Sequence, residues 1–416
     1  MSPLPLGASN FAARGPTFRR ISLILLCLAA LIAALSTVPG NQAYAAKRPP
    51  SRVKLVSFIG ASTTSLTVKW PAAKRVRSYE FELATNYDMV GRTTTKIPAT
   101  SSSRMTYVLT GLTPGQTYCV QVRGKRGRYY GERSRRTCKP TILTRAAPTG
   151  RPYRVMTYNV CATACQGRSG AASWSTRRSL ATSLITAQAP DVLALQEHSQ
   201  SASTTMLTQT LSADYAATTY ISAKDLLFRR DRFTLARTGS IELSRGRYAV
   251  WAELNDLKAN NASAIFVSAH LTPGKSAQSD LLRQSETERL IAAVEQENPD
   301  GVPVIYAGDF NSNKSRPLDA PAKVFKAAGY HDSFDLASRL SRPNWNSAAG
   351  FSSAPEKPRT SYKWGDHVDH VFVRPGSTYV GTWASPAAMT SSSKYDGPMP
   401  SDHKPVVVNI WLMGAS

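Results

Sequence analysis

The chain has 416 residues, and its 51 Lys and Arg against 27 Asp and Glu give a formal net charge of +24 at pH 7. A balance this basic points to polyanionic rather than basic partners. No segment after residue 46 is long and apolar enough to span a membrane, which excludes a helical membrane protein once the N-terminus is removed.

In chain order, residues 1 to 46 read as an export signal. Arg14, Arg19 and Arg20 supply its basic start, residues 21 to 35 its apolar centre, and Ala43, Tyr44 and Ala45 an A-x-A cleavage site. The mature chain is therefore expected to be secreted and extracellular. Cys27 lies in the signal, which leaves Cys119, Cys138, Cys161 and Cys165. An even count in an exported chain suggests disulfides, expected within each domain as Cys119 to Cys138 and Cys161 to Cys165. The paired Cys-x-x-Cys and His spacing of a structural zinc site is missing.

Residues 47 to 142 alternate apolar and polar positions in short runs, SLTVKW ending at Trp70, then SYEFELA, then TYVLTGLTPGQTYCVQVRG, divided by turn-forming residues. The run from Leu112 to Tyr118 resembles the turn before a tyrosine corner, and Trp70 stands where an immunoglobulin-like sandwich buries a strand tryptophan. The stretch resembles a fibronectin type III domain, an all-β immunoglobulin-like sandwich, with residues 143 to 151 as linker. Most of the net charge sits here. Residues 47 to 145 hold 20 Lys and Arg against 4 Asp and Glu, whereas residues 146 to 416 hold 28 against 23. The densest run, RGKRGRYYGERSRR, offers Arg123, Arg126 and Arg128 with two tyrosines to a polyanion. It reads about equally well as a solvated face or as a contact to an anionic cell wall or polysaccharide.

Residues 152 to 416 suffice for one large α/β domain. Residues 176 to 189 and 276 to 298 read as amphipathic helices, and the aperiodic stretch 339 to 364 as a substrate-facing loop. Six apolar runs end on polar residues: VMTYNV with Asn159, VLALQE with Glu197, FVSAHL with His270, VIYAGDFNSN with Asp309 and Asn311, HVDHVFV with Asp369, and MPSDHKPVVV with Asp402 and His403. Any one of these reads best as a turn or a helix cap. Six together describe buried strands delivering polar groups to one rim, with residue types suited to metal-assisted phosphate chemistry.

These six segments, most specifically the GDFN and SDH runs, resemble the endonuclease/exonuclease/phosphatase superfamily over about residues 152 to 413. The resemblance implies an α/β four-layer sandwich of two mixed β-sheets flanked by helices. It also implies a divalent cation, Mg²⁺ with Mn²⁺ or Ca²⁺ as alternatives, held by Glu197 with Asn159 beside it and Asp402 nearby. Asp309 would orient or deprotonate the attacking water, Asn311 would hold the phosphate, and His270 and His403 would flank it, with Asp369 as the partner of His403. Tyr220 matches an aromatic near the substrate in deoxyribonucleases. Ser222, however, stands where those enzymes place an acidic partner for the first histidine, and Asp225 could serve only in a different local register. His198, His331, His367 and His370 are read as ordinary surface or core histidines.

The expected activity is hydrolysis of nucleic acid, DNA foremost, by a deoxyribonuclease-like endonuclease. A sphingomyelinase-type phospholipase, a phosphomonoesterase and a non-catalytic extracellular binding protein are the alternatives. The stretch 375 to 400 is mixed and polar and contains no long apolar hairpin suited to a bilayer.

Overall fold

The computed structural model describes residues 48–54, 56–85, 89–142, 148–206, 210–313, 318–343, 345–352, 354, 366–391 and 394–413. The expected export signal with Cys27, most of the expected linker and much of the 339 to 364 loop lie outside these residues. Among the described residues, no helix is long and apolar enough to cross a membrane.

The first body is a sandwich of antiparallel strands. Ser57–Ala61, Leu66–Pro71 and Arg104–Leu109 form one sheet. Thr93–Pro98, Ser78–Ala84 and Thr117–Arg126 form the other, with Tyr129–Tyr130 and Thr137–Pro140 both paired to Thr117–Arg126. Strict alternation buries Leu66, Val68 and Trp70 while Thr67 and Lys69 face outward. Trp70 packs edge-on against Tyr79, with centroids 5.5 Å apart. The Tyr118 hydroxyl accepts a hydrogen bond from Thr113 N at 3.0 Å, closing the tyrosine corner. The Cys119–Cys138 disulfide joins residues directly opposite on paired strands.

The second body has four layers. A mixed seven-stranded sheet runs in the order Tyr215–Ala217, Lys224–Arg229, Val192–Gln196, Tyr153–Asn159, Val406–Leu412, Thr378–Ala384, Arg339–Ser341. A mixed six-stranded sheet runs Phe233–Ser244, Arg247–Asp256, Ala262–His270, Val304–Asp309, Asp369–Val373, His331–Asp332. Between the sheets lies one apolar core containing Val155, Ala194, Phe266, Ile305, Val371 and Val408. Helix Trp174–Gln188 covers the outer face of the first sheet through Ala181 and Ile185. Helix Ala277–Gln296 covers the outer face of the second through Leu290, Ile291 and Val294. Both helices start at a serine cap, Ser173 and Ser276, whose hydroxyls accept from Thr176 N and Ser279 N.

Period-two alternation explains how the strands reach a polar rim. On Tyr153–Asn159, Val155 points inward, Met156 and Tyr158 outward under the helix, and Thr157 and Asn159 again share the inward parity. Above the apolar core comes a buried polar layer. Thr157 Oγ1 donates to Gln196 Oε1 at 3.2 Å, and Gln196 Nε2 donates to Ser268 Oγ at 3.0 Å. The next inward positions after Thr157 and Ser268 are Asn159 and His270, two residues of the candidate site.

The two bodies meet at the opposite end of the strands. Thr117 Oγ1 and His331 Nε2 are 2.8 Å apart, and His331 pairs with Val373, the end of its strand remote from Asp369. Arg126 lies nine residues beyond Thr117 on one strand, about 30 Å further at ordinary strand rise.

Candidate active site

His270, Asp309 and Asp369 are successive partners across three adjacent strands, so one register line sets three functional groups side by side. From the facing sheet, Asn159 pairs with Gln196 in parallel, which brings Glu197 onto the same rim. Between the strands carrying His270 and Asp309 there is no room for a side chain at Gly308, where a Cβ would lie 2.1 Å from Ala269 O. Glycine in the GDFN run is therefore a packing requirement. Glu197, Asn311 and Cys161 adopt positive φ of 51°, 50° and 42°. Such backbone strain in non-glycine residues recurs at functional sites, and other residues of the chain, such as Ala189 at a helix end, show it too.

Seven of the expected residues converge. Asn159 Nδ2 donates to Glu197 Oε1 at 3.0 Å and to Asp309 Oδ2 at 3.1 Å, bridging the two sheets. Its Oδ1 accepts from Cys161 N at 3.0 Å, which fixes which way the amide faces. His270 Nε2 lies 3.5 Å from Asp309 Oδ2 and 3.9 Å from Glu197 Oε1. On the other side, His403 Nδ1 is 2.9 Å from Asp369 Oδ2, and its Nε2 is 3.8 Å from Asp309 Oδ2. Asn311 donates its backbone N–H to Asp309 Oδ1 at 2.9 Å and its amide to Leu271 O at 3.0 Å, so in this arrangement it orients the carboxylate.

Electrostatics separate the two histidines. Burial disfavours a charge on His403, but Asp369 and Asp309 outweigh it and hold the pKa up to about 10. Burial pushes the pKa of His270 down despite Asp309 and Glu197, with the charges of Lys224 and His403 adding to the depression. Burial acts to raise the pKa of Asp309, yet the two imidazoles and the N–H groups of Asn311 and Asn159 hold it below the usual carboxylate range. Near neutral pH the site thus holds a cationic His403, a neutral His270 and an ionised Asp309.

Ligand atoms of Asp309, Asp369 and His403 all lie within 4.8 Å of one another. With His403 cationic and Asp369 paired to it, the oxygens of Asp309 and Glu197 are the donors left for a cation, a set that fits a hard divalent ion better than a thiophilic one. Asp402 meets different neighbours. Its Oδ2 is 2.9 Å from Arg168 Nη1, and its carboxylate sits beside Cys161 and Cys165, whose sulfurs are joined in a disulfide.

Tyr220 accepts from Ala223 N at 3.2 Å, and Ser222 contacts Gly246 O. Asp225 does not reach His270: it pairs with Leu195 in register and places Oδ2 2.6 Å from His198 Nδ1 in the interior. His370 makes a comparable buried pair, 2.8 Å from Asp332 Oδ2, and also contacts Ser312 O. In the small body, Arg123 is committed to Glu80 at 2.6 Å, and Arg123 and Lys125 both lie over the Tyr130 ring. Arg126 and Arg128 reach no carboxylate among the described residues. The stretch 375 to 400 holds a two-stranded ribbon, Met389–Ser391 with Lys394–Tyr395, and Tyr395 packs inward against Trp345 and Met399.

Three neighbours of the site were not legible in the sequence. Ser347 Oγ accepts from Val368 N and Asp369 N, holding the start of the Asp369 strand. Lys224 is only 4% exposed beside Glu197, its ammonium donates to Ser222 O at 2.8 Å, and burial lowers its pKa to about 8. Arg177 is buried under the loop that follows Asn159. Only Lys224 had a local signal, a buried charge two residues ahead of the apolar run Leu226 to Phe228.

Residues 156–403 match the family described as Endonuclease/Exonuclease/phosphatase, and residues 49–138 match the Fibronectin type III domain. Among similar solved structures is an endonuclease/exonuclease/phosphatase family protein from Bacteroides thetaiotaomicron, 18% identical with a TM-score of 0.49, covering 64% of this chain and 98% of that one. Another is the endonuclease/exonuclease/phosphatase from Beutenbergia cavernae, 18% identical with a TM-score of 0.46, covering 64% of this chain and 73% of that one. A third is D. rerio TDP2 complexed with single strand DNA product, 15% identical with a TM-score of 0.43, covering 62% and 98%. No curated protein matches the chain.

Proposed function

The chain belongs to the endonuclease/exonuclease/phosphatase family, and from that premise we propose that it is a secreted, divalent-metal-dependent phosphodiesterase that hydrolyses nucleic acid, DNA foremost. The observation that carries the reading is the bridging of Glu197 and Asp309 by the Asn159 amide, with the His403–Asp369 pair on the same rim. Carboxylates drawn this close repel one another, and a bound cation relieves that repulsion.

Glu197, with Asp309 beside it across the Asn159 amide, would hold Mg²⁺ or Mn²⁺. A cation held there supplies charge neutralisation at the phosphoryl oxygens. Asp309, kept ionised, accepts a hydrogen bond from the attacking water and aligns it with the phosphorus. Its lowered pKa suits orientation better than full proton removal. His403, kept cationic by Asp369, donates to a non-bridging oxygen or to the leaving alkoxide. Neutral His270 stands on the opposite side of Asp309 and can donate through one ring nitrogen without adding charge.

The small domain adds an anchor for polyanions through Arg126 and Arg128. Its distance from the catalytic rim makes it a contact for remote parts of a long substrate. The inward packing of Tyr395 and Met399 removes from the 375 to 400 stretch the apolar surface that a lipid-inserting hairpin needs.

The test is hydrolysis of plasmid DNA, structured RNA, sphingomyelin and a chromogenic phosphomonoester, each with Mg²⁺ and with EDTA. Metal-dependent nicking of plasmid is expected. Turnover of lipid or monoester alone would retain the site and replace the substrate. No turnover on any of the four would favour a binding protein.

A further inference from the structure

Arg177 is an unusual buried cation, because the described residues place no carboxylate against it and all its hydrogen bonds go to main-chain carbonyls. It is 0% exposed, and its guanidinium lies between the rings of Trp174 and Phe351 at 5.2 and 5.5 Å. Nε donates to Ala172 O at 3.0 Å. Nη1 donates to Val160 O at 3.4 Å and Pro400 O at 3.1 Å. Nη2 donates to Cys161 O at 3.1 Å and Ala162 O at 2.5 Å.

Those carbonyls belong to segments that matter to the site. Val160, Cys161 and Ala162 directly follow Asn159, and Pro400 directly precedes Ser401, Asp402 and His403. The same two segments are tied again where Ser401 Oγ donates to Asn159 O at 2.7 Å. The loop after Asn159 is closed on itself by the Cys161–Cys165 disulfide, both of whose cysteines are buried. Within that closed loop, Cys161 N holds Asn159 Oδ1 and thereby aims Asn159 Nδ2 at Glu197 and Asp309.

We propose that Arg177, with the Cys161–Cys165 disulfide, is a positioning clamp that locks the Asn159 loop to the Ser401–His403 segment and so sets the geometry of the cation-binding carboxylates. The inference rests on the functional reading above for what the carboxylates hold. Guanidinium suits the task because its five donors spread in a plane and reach carbonyls from three separate segments, which the three protons of an ammonium on one nitrogen do not. Its charge also offsets the converging negative ends of the carbonyl dipoles, with the Asp402 carboxylate acting on it through space but making no hydrogen bond to it.

The test compares Arg177→Lys with Arg232→Lys at temperatures well below both melting transitions. Arg232 is another buried arginine, held by Asp191 and Asp256 away from the rim. Mn²⁺ binding by titration calorimetry is read beside Mg²⁺-dependent plasmid nicking. Arg177→Lys is expected to weaken Mn²⁺ binding by about tenfold, the usual scale for groups that orient metal ligands, and to lower kcat. Arg232→Lys is expected to lower Tm alone. A folded Arg177→Lys protein that binds Mn²⁺ and nicks plasmid like the parent overturns the clamp. A parent that binds Mn²⁺ but cleaves no nucleic acid overturns the nuclease reading, and weaker Mn²⁺ binding by Arg177→Lys then still supports the clamp.

Discussion

His403 and Asp369 lie 2.9 Å apart, Nδ1 to Oδ2, although they come from segments 34 residues apart in the chain. The pair keeps the imidazole cationic across the physiological range. Asp369→Asn should lower kcat by about 10² to 10⁴, the range seen when a histidine loses its orienting carboxylate or its proton-transfer role. Because Asp369 raises the pKa of His403 to about 10, the residual activity of the variant should fall off at lower pH than that of the parent. A pH–rate profile checks this, and an unshifted alkaline limb would remove His403 as the proton donor.

Glu197 is the most exposed carboxylate of the cluster, with its side chain 26% accessible, and it is placed to meet an incoming cation. Glu197→Gln should abolish nicking at millimolar Mg²⁺ and leave the melting temperature nearly unchanged. Activity that is restored in full by raising Mg²⁺ would point to a weaker ligand role than the one assigned.

The buried His370–Asp332 pair gives a stability signature separate from catalysis. Burial opposes charge on His370, but Asp332 outweighs it and raises the pKa from 6.5 to about 9. A histidine with a raised folded pKa stabilises fully below pH 6.5 and loses that contribution as the pH climbs through about 9. The parent should therefore lose Tm from pH 6.5 to 9 relative to Asp332→Asn, which retains a capping oxygen for Phe334 N. Parallel Tm curves for the two proteins would contradict the pairing.

Arg126 and Arg128 sit at the end of the small domain remote from its contact with His331. Reversing both to Glu should leave cleavage of a short oligonucleotide unchanged and weaken action on long DNA, with a shallower dependence on salt. Equal loss on short and long substrates would place the cations at the catalytic rim.

Cys161→Ser with Cys165→Ser releases the loop that carries the Asn159 contact. A folded double variant should need several-fold more Mg²⁺ for half-maximal activity, on the scale typical of groups that orient metal ligands. An unchanged Mg²⁺ requirement would limit the disulfide to stability.

By itself the sequence determined the layers and the rim, because both follow from local patterns. Strand alternation turned Val155 inward and Met156 outward, apolar runs ended on Asn159, Glu197, His270 and Asp309, and an antiparallel one began at Asp369. It also carried the likeness to the families that residues 49–138 and 156–403 match. Only the tertiary structure decided which group meets which. Strand pairing sent Asp225 to His198 and not to His270, and put Lys224 beside Glu197. The partners of Arg177 are main-chain carbonyls of three segments, which have no side-chain identity to read. A side chain's type is a local fact, whereas its partner depends on register and loop closure, and a shift of one residue would have moved every one of these contacts.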